Sequence, residues 1–335
     1  MSGPEEVAAL IGKLHRARNR RTLQTLRAPM HQKRIARFTV SLTAGFRWTA
    51  KRGSMSKVWL ITGASRGLGR AFTEAVLEAG DRVVATARNP EQLVELKARY
   101  SERVRTVTLD VTNEAQAKAA FEAAIASFGD LDVLVNNAGY GYVCPVEDTP
   151  LADFRAQIET NLFGVIIMTK AVLPYFRERK AGHIIQVTSI AGRIGPAGRA
   201  PYAAAKFGVE GFSESLSKEI GPLGIKVTII EPGGFRTDFA GSSTQLSEGR
   251  PEYDSTVGAA VRFQKSYHGT QPGDPAKAAA VLLHVASLSE PPLRLLLGSD
   301  SYAAAEKSAL DEIESDRHWK DLSFSTDYLS DETHV

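Results

Sequence analysis

From Lys57 onward, short runs of aliphatic and β-branched residues alternate with longer segments in which apolar positions recur every three or four residues. The short runs predict strands at Val58–Thr62, Arg82–Thr86, Val104–Thr108, Leu131–Asn136, Gly182–Thr188, Ile225–Glu231 and Leu293–Leu297. Several are apolar throughout, the pattern of strands covered on both faces. The longer segments predict helices at Gly67–Ala79, Pro90–Tyr100, Glu114–Phe128, Leu151–Lys180, Pro201–Gly221 and Asp274–Leu288. Such alternation leads to an α/β fold: a single doubly wound parallel sheet of about seven strands, with right-handed crossovers and helices on both faces. Ligands of such sheets gather at the carboxyl ends of the strands, where strand order reverses. Candidate chemistry is therefore sought at those ends.

Composition adds exclusions. Of 335 residues, 43% are hydrophobic and 24% charged, which is ordinary for a globular chain and rules out a wholly disordered or collagen-like one. No stretch holds the ~18 uninterrupted apolar residues of a membrane span, so none is expected. The single cysteine, Cys144, leaves no internal disulfide, and no two histidines stand at i,i+3 or i,i+4. No metal site is expected, and a reduced, cytoplasmic compartment fits best.

Charge changes the domain picture. Residues 1–56 hold twelve bases against two acids, a net of +10; the remaining 29 bases and 36 acids leave −7. The expected organisation is a basic, poorly ordered extension over 1–54, a doubly wound domain over 55–298, and a helical, acidic tail over 299–335. The extension also admits two other readings, an Arg-rich presequence or a nucleic-acid-binding arm. No nucleic-acid partner is expected for the domain itself.

The first strand end reads Thr62-Gly63-Ala64-Ser65-Arg66-Gly67-Leu68-Gly69 and runs straight into a helix. Glycines allow a tight turn, so amide N–H groups at the helix start can meet a pyrophosphate. The second strand ends at Ala87-Arg88-Asn89, without the acid that grips a ribose 2′-hydroxyl. Arg88, with Arg66 from the turn, can instead grip a 2′-phosphate, so NADP(H) is the expected cofactor. Asp110-Val111 follows the third strand, where the carboxylate either accepts the adenine amino group or caps the next helix. Asn136-Asn137-Ala138-Gly139 ends the fourth, suited to a ribose or to a turn. Tyr202 and Lys206 lie four apart on one helical face, and Ser189 stands at the end of the Gly182–Thr188 strand. An ammonium stabilises a phenolate, so Tyr202 can pass a proton to a carbonyl oxygen that Ser189 hydrogen-bonds.

In combination, these features resemble the short-chain dehydrogenase/reductase family and its Rossmann fold. The matching positions are Thr62–Gly69, Asp110, Asn136–Gly139, Asn161, Ser189, Tyr202, Lys206 and Pro232-Gly233, spread over residues 57 to about 240. The resemblance implies that Tyr202 is the general acid/base, that Ser189 positions the substrate oxygen, and that Lys206 holds the nicotinamide ribose and lowers the Tyr202 pKa. It further implies that Asn161 anchors a proton-relay water, that Pro232, Gly233, Phe235 and Thr237 touch the nicotinamide carboxamide, and that homodimers or homotetramers pack through Leu151–Lys180 and Pro201–Gly221. The expected activity is NADP(H)-dependent reduction of a ketone or aldehyde on a medium-sized apolar substrate. Residues 235–272, with Phe239, Tyr253, Phe263 and Tyr267, are expected to form a mobile lid, with Tyr140, Tyr142 and Arg193–Ala200 as further walls. A non-catalytic NADP(H)-binding sensor is the alternative.

Overall fold

The computed structural model describes residues 56–328; the expectations for 1–54 and for the end of the tail lie outside the described residues. Seven parallel strands form one sheet: β1 (Val58–Ile61), β2 (Arg82–Ala87), β3 (Val104–Thr108), β4 (Val133–Asn136), β6 (Gly182–Val187), β7 (Ile225–Pro232) and β9 (Arg294–Leu297). Their order is β3-β2-β1-β4-β6-β7-β9, so the direction of winding reverses between β1 and β4. Each expected strand is present, with ends shifted by a residue or two. The family of strand ends around β1 and β4 is the crevice that such a topology opens for a ligand.

Two cores explain why the sheet is apolar on both faces. Trp59, Ile61, Val83, Ala85, Val133 and Val135 point to one side, where α1 (Gly67–Glu78), α2 (Val94–Tyr100) and α8 (Pro275–Ser287) cover them. Their neighbours Val58, Leu60, Val84, Leu134 and Ile184 point to the other side, under α3 (Glu114–Phe128), α5 (Gly164–Arg179) and α6 (Ala200–Ile220). The period of two thus divides one continuous apolar strand between two helix layers. A third, small cluster of Val143, Val257 and Val261 lies apart from the sheet.

Two departures bear on function. The expected helix Leu151–Lys180 is broken: α4 (Leu151–Ile158) passes through a π-helical turn, Glu159–Phe163, before α5 begins. By length and composition Leu151–Arg179 could cross a membrane, yet Val165, Met168, Val172 and Phe176 along it are buried on the sheet. The expected lid carries structure of its own. Thr244–Leu246 (β8) pairs in parallel with β5 (Gly141–Val143), and α7 (Ala259–Tyr267) follows a second π-helical turn at Asp254–Gly258. The tail is helical over α9 (Ser299–His318) and α10 (Lys320–Phe324).

Beneath β6, the ring of His183 hydrogen-bonds Thr228 Oγ1 at 3.0 Å and is almost wholly enclosed. Burial, assisted by Lys226 and Lys57, pushes its pKa down to about 3. Because the unfolded imidazole titrates near 6.5, the unfolded chain binds the extra proton between pH 6.5 and 3, and stability falls as pH falls through that window. The slope for one proton is at most about 1.4 kcal/mol per pH unit. Urea unfolding followed between pH 7 and 5 is expected to show a shallower pH dependence for His183→Gln than for the native chain; equal slopes would remove His183 as the titrating group.

Candidate active site

The carboxyl ends of β1, β2, β4, β6 and β7 open on one cavity of about 630 Å³. Its floor begins at the Gly-rich turn. Gly63 and Gly67 adopt φ of +66° and +57°, values that favour glycine. A Cβ on Gly69 would stand 2.2 Å from the Gly63 carbonyl oxygen and 2.3 Å from Asn137 Nδ2, so only glycine lets α1 seat against the turn. Helix α1 starts after Arg66 with no side-chain cap and no acid in its first turn. Its unpaired N–H groups, beside Gly63, Ser65, Arg66, Gly67 and Leu68 in the cavity wall, suit a pyrophosphate. Gly69 itself lies behind that wall.

Asn137 ties the turn to β4. Its Nδ2 donates to the carbonyl oxygens of Thr62 (2.9 Å) and Gly63 (3.2 Å), while Thr62 Oγ1 accepts from the amides of Asn137 and Ala138. The Asn137 side chain is therefore a strut, and Ala138 and Gly139 complete this part of the wall. Asp110 Oδ1 accepts from the amide (3.0 Å) and hydroxyl (2.7 Å) of Thr112, and these bonds hold its pKa down. The cap of α3 is Asn113, so Asp110 closes a turn before the helix and is not its cap. Val111 lines the cavity and packs against Gly164. Arg66 and Arg88 are both exposed at this end of the cavity.

At the other end stand Ser189, Tyr202 and Lys206. Ser189 leaves the tip of β6 and its Oγ accepts from the Ala191 amide at 3.1 Å. Tyr202 and Lys206, in the first two turns of α6, are buried. The Tyr202 ring packs on Phe239 at 5.7 Å, and Lys206 Nζ sits 5.7 Å from the ring centroid while donating to the Val187 carbonyl oxygen at 2.9 Å. Burial pushes the Tyr202 pKa up; the groups favouring its phenolate are the Ser189 hydroxyl and the Arg199 guanidinium. Burial also pushes Lys206 down to about 8. Enclosure thus outweighs the acidifying neighbours, and the net shift of the phenol is upward, against the expected lowering.

Asn161 does not line the cavity. It projects from the π-helical turn, fully buried, and its amide clamps the Tyr140 backbone: Oδ1 accepts from Tyr140 N at 3.1 Å and Nδ2 donates to Tyr140 O at 3.0 Å. A Cβ on Gly139 would lie 2.6 Å from Asn161 Oδ1 and 3.9 Å from Lys206 Nζ, which places the three side by side. Pro232, Gly233, Phe235 and Thr237 line the cavity after β7. Asp300, in the first turn of α9, fixes that segment through the Gly234 amide at 2.7 Å.

The cavity wall corrects some expectations. Tyr140, Phe239, Phe263 and Tyr267 line it, whereas Tyr142 and Tyr253 do not. Tyr142 is in β5, bonded to Asp153 and pushed up to about 12 chiefly by burial, and Tyr253 bonds Glu147 outside. Arg193 turns away to make a two-pronged ion pair with buried Glu231. Arg199, within the expected wall Arg193–Ala200, and Gln264, within the expected lid, both line the cavity, although neither is named singly by the sequence.

A doubly wound sheet with a Gly-rich turn at its crevice and a tyrosine–lysine pair at the strand ends defines a dinucleotide-dependent oxidoreductase. The profile of the short chain dehydrogenases matches residues 57–247, and the chain belongs to that family. It is similar to oxidoreductase BOA17 of Botryotinia fuckeliana, with 47% identity over 81% of this chain and 100% of that protein. It is also similar to 3-ketodihydrosphingosine reductase of Bacteroides thetaiotaomicron, with 35% identity over 72% and 88% of the two chains. Among solved structures, a short-chain dehydrogenase from Streptomyces avermitilis superposes with a TM-score of 0.77 at 39% identity, covering 82% of this chain and 100% of that one. The chain is thus an oxidoreductase with a nicotinamide cofactor, of the kind that works between hydroxyl and carbonyl groups.

Proposed function

We propose that this chain is an NADP(H)-dependent carbonyl reductase acting on ketones or aldehydes. The observation that carries the reading is the meeting of Ser189, Tyr202 and Lys206 in the same cavity as the uncapped Gly-rich turn. When bound, the reduced nicotinamide supplies the hydride. The residues that would hold it are Gly63, Ser65, Arg66, Gly67 and Leu68 of the turn, Asp110, Val111, Ala138 and Gly139, together with Pro232, Gly233, Phe235 and Thr237, all in the cavity wall. Ser189 orients the carbonyl oxygen by hydrogen bonding. Tyr202, kept neutral by burial, holds the proton that this oxygen receives. Lys206 holds the ribose hydroxyls and supports the phenolate left after transfer. Asn161 fixes the Tyr140 backbone beside Lys206 and anchors the proton path from solvent.

The preference for NADP(H) rests on Arg66 and Arg88, two exposed cations that form no close ion pair among the described residues, Arg88 acting on Asp110 only at longer range, and on the lack of an acid after β2. Arg88→Asp is expected to lower kcat/KM for NADPH by roughly tenfold or more and to raise that for NADH, since an acid repels the 2′-phosphate and accepts from a 2′-hydroxyl. Initial rates with both nucleotides check this; an unaltered ratio would show that Arg88 does not read the 2′ position. Exposed Leu151, Phe163 and Phe207, on the α4–α5 helix and on α6, support assembly into homodimers or homotetramers through those helices. The buried single Cys144 fits a cytoplasmic setting. Purified protein mixed with NADPH and a panel of aldehydes and ketones tests the reading by loss of NADPH absorbance. Saturable nucleotide binding with no oxidation across the panel would favour a sensor.

A further inference from the structure

The part of the cavity walled by α7 and the start of α6 carries a cation that the proposed chemistry does not use. Arg199 immediately precedes α6, three residues before Tyr202, so its side chain stands beside the proton donor. Its Nη2 donates to the Gln264 side-chain oxygen on α7, and Gln264 is itself buried, with Nε2 on the Ala240 carbonyl oxygen. Nε and Nη1 of Arg199 make no hydrogen bond to any described residue, and no described carboxylate pairs with it. Two other part-buried arginines, by contrast, have acidic partners: Arg193 pairs with Glu231 and Arg294 with Glu210. Burial holds the Arg199 pKa below its ordinary value, and Tyr202 is the titratable group that offsets this. An arginine stays charged even so, and this half-buried guanidinium keeps its unbonded edge open to the cavity. Its free edge presents two donors, the geometry that a carboxylate or phosphate accepts.

We propose that Arg199 is the anchor for an anionic group on the substrate, so that this reductase takes oxo acids or phosphorylated carbonyl compounds in preference to neutral ones. The proposal rests on the carbonyl-reductase reading and deepens it. The apolar rings of Phe239 and Phe263 hold the body of such a substrate, Ser189 and Tyr202 take its carbonyl oxygen, and the guanidinium takes its anionic end. Arg199 is here a specificity-determining residue, with Gln264 fixing one edge of its guanidinium so that the other edge stays in place.

The test pairs each acid with its methyl ester: 4-formylbenzoate, 4-oxopentanoate and 6-oxoheptanoate, each against the ester, with NADPH. The native enzyme is expected to prefer at least one acid over its ester by roughly tenfold or more in kcat/KM, the size of one charge-assisted contact. Arg199→Met is expected to bring that ratio near one by raising KM for the acid alone, while any change in kcat from the loss of a Tyr202 neighbour falls on acid and ester alike. Arg199→Lys keeps the charge without the fork and is expected to retain part of the preference. A second readout needs no turnover: 4-methylbenzoate is expected to raise the Tm of the NADPH-loaded native protein more than 4-methylbenzamide does, and to lose that advantage in Arg199→Met. Equal use of acids and esters by the native enzyme would overturn the anchor and leave the reductase reading intact. So would an equal fall for acids and esters in both variants, the mark of a merely structural latch. Absence of NADPH oxidation with every compound would overturn the reductase reading, and the thermal shift then decides the anchor by itself.

Discussion

Replacing Tyr202 by Phe is expected to leave NADPH affinity unchanged within about twofold while cutting carbonyl turnover by roughly 10²–10⁴, the range for a lost proton donor. The substitution removes one oxygen and no carbon. The remaining ring keeps its contact with Phe239, and Ser189 loses a single hydrogen-bond partner. Stability is expected to move little, because the phenol is enclosed at a cost that its deletion relieves. The neutral form of Tyr202 is the one favoured by burial, so carbonyl reduction has its proton source at neutral pH. The reverse, alcohol oxidation, needs the phenolate and is expected to rise with pH. Lys206, pushed down to about 8, keeps its charge below that pH and loses it above, so its help to the phenolate fades on the alkaline side. Single-turnover rates of the two proteins, with nucleotide binding followed by fluorescence, measure the effect; comparable rates would contradict the role given to Tyr202.

Gly69→Ala is expected to have the largest effect on the cofactor end. Alanine is the better helix former, by about 1 kcal/mol at an unhindered site. Here the added methyl would overlap the Gly63 carbonyl oxygen and Asn137 Nδ2, and the first of these is backbone that cannot swing aside. The clash therefore outweighs the propensity, at a cost of about 1–3 kcal/mol for an overfilled site. The turn must also open, which moves the N–H groups that face the pyrophosphate, so NADPH affinity is expected to fall by roughly tenfold or more. Gly211→Ala supplies the opposite sign. Gly211 lies in α6, where an added methyl would meet nothing within 4 Å, and it is exposed, so alanine there is expected to raise stability by about 0.5–1 kcal/mol. Thermal unfolding of the two variants, with and without NADPH, separates the cases. Equal and opposite shifts are not required, but a Gly69→Ala protein as stable and as tightly binding as the native one would show that the turn relaxes freely.

The central sheet is legible in the sequence because its inner strands are covered on both sides, which makes them apolar runs with sharp ends, as in Val58–Ile61 and Ile225–Pro232. The short strands β5 and β8 are not, since three residues with one partner carry no periodic signal. Helix α7 reads as loop because its nine residues follow a Gly- and Ser-rich stretch and bury only Val261 and Gln264 within it. The π-helical turn is hidden for another reason. One extra residue in a helix leaves composition unchanged, yet it turns Asn161 inward to clamp Tyr140. Ser189, Tyr202 and Lys206 are legible by spacing along one strand end and one helix face. The direction of the Tyr202 shift is not, because enclosure is set by Phe239 and its neighbours, which arrive from thirty or more residues away. Arg199 falls within an expected wall, but a base in a sequence looks the same whether or not an acid will meet it.

The stretch between Phe235 and Gly273 departs from and returns to one point, where Gly273 N donates to Gly234 O at 2.9 Å and Arg236 N to Gly273 O at 3.0 Å. Stitched at its neck in this way, the cover of the cavity is an exchangeable cassette: its length and side chains can diverge between relatives while the nucleotide half of the crevice keeps its geometry.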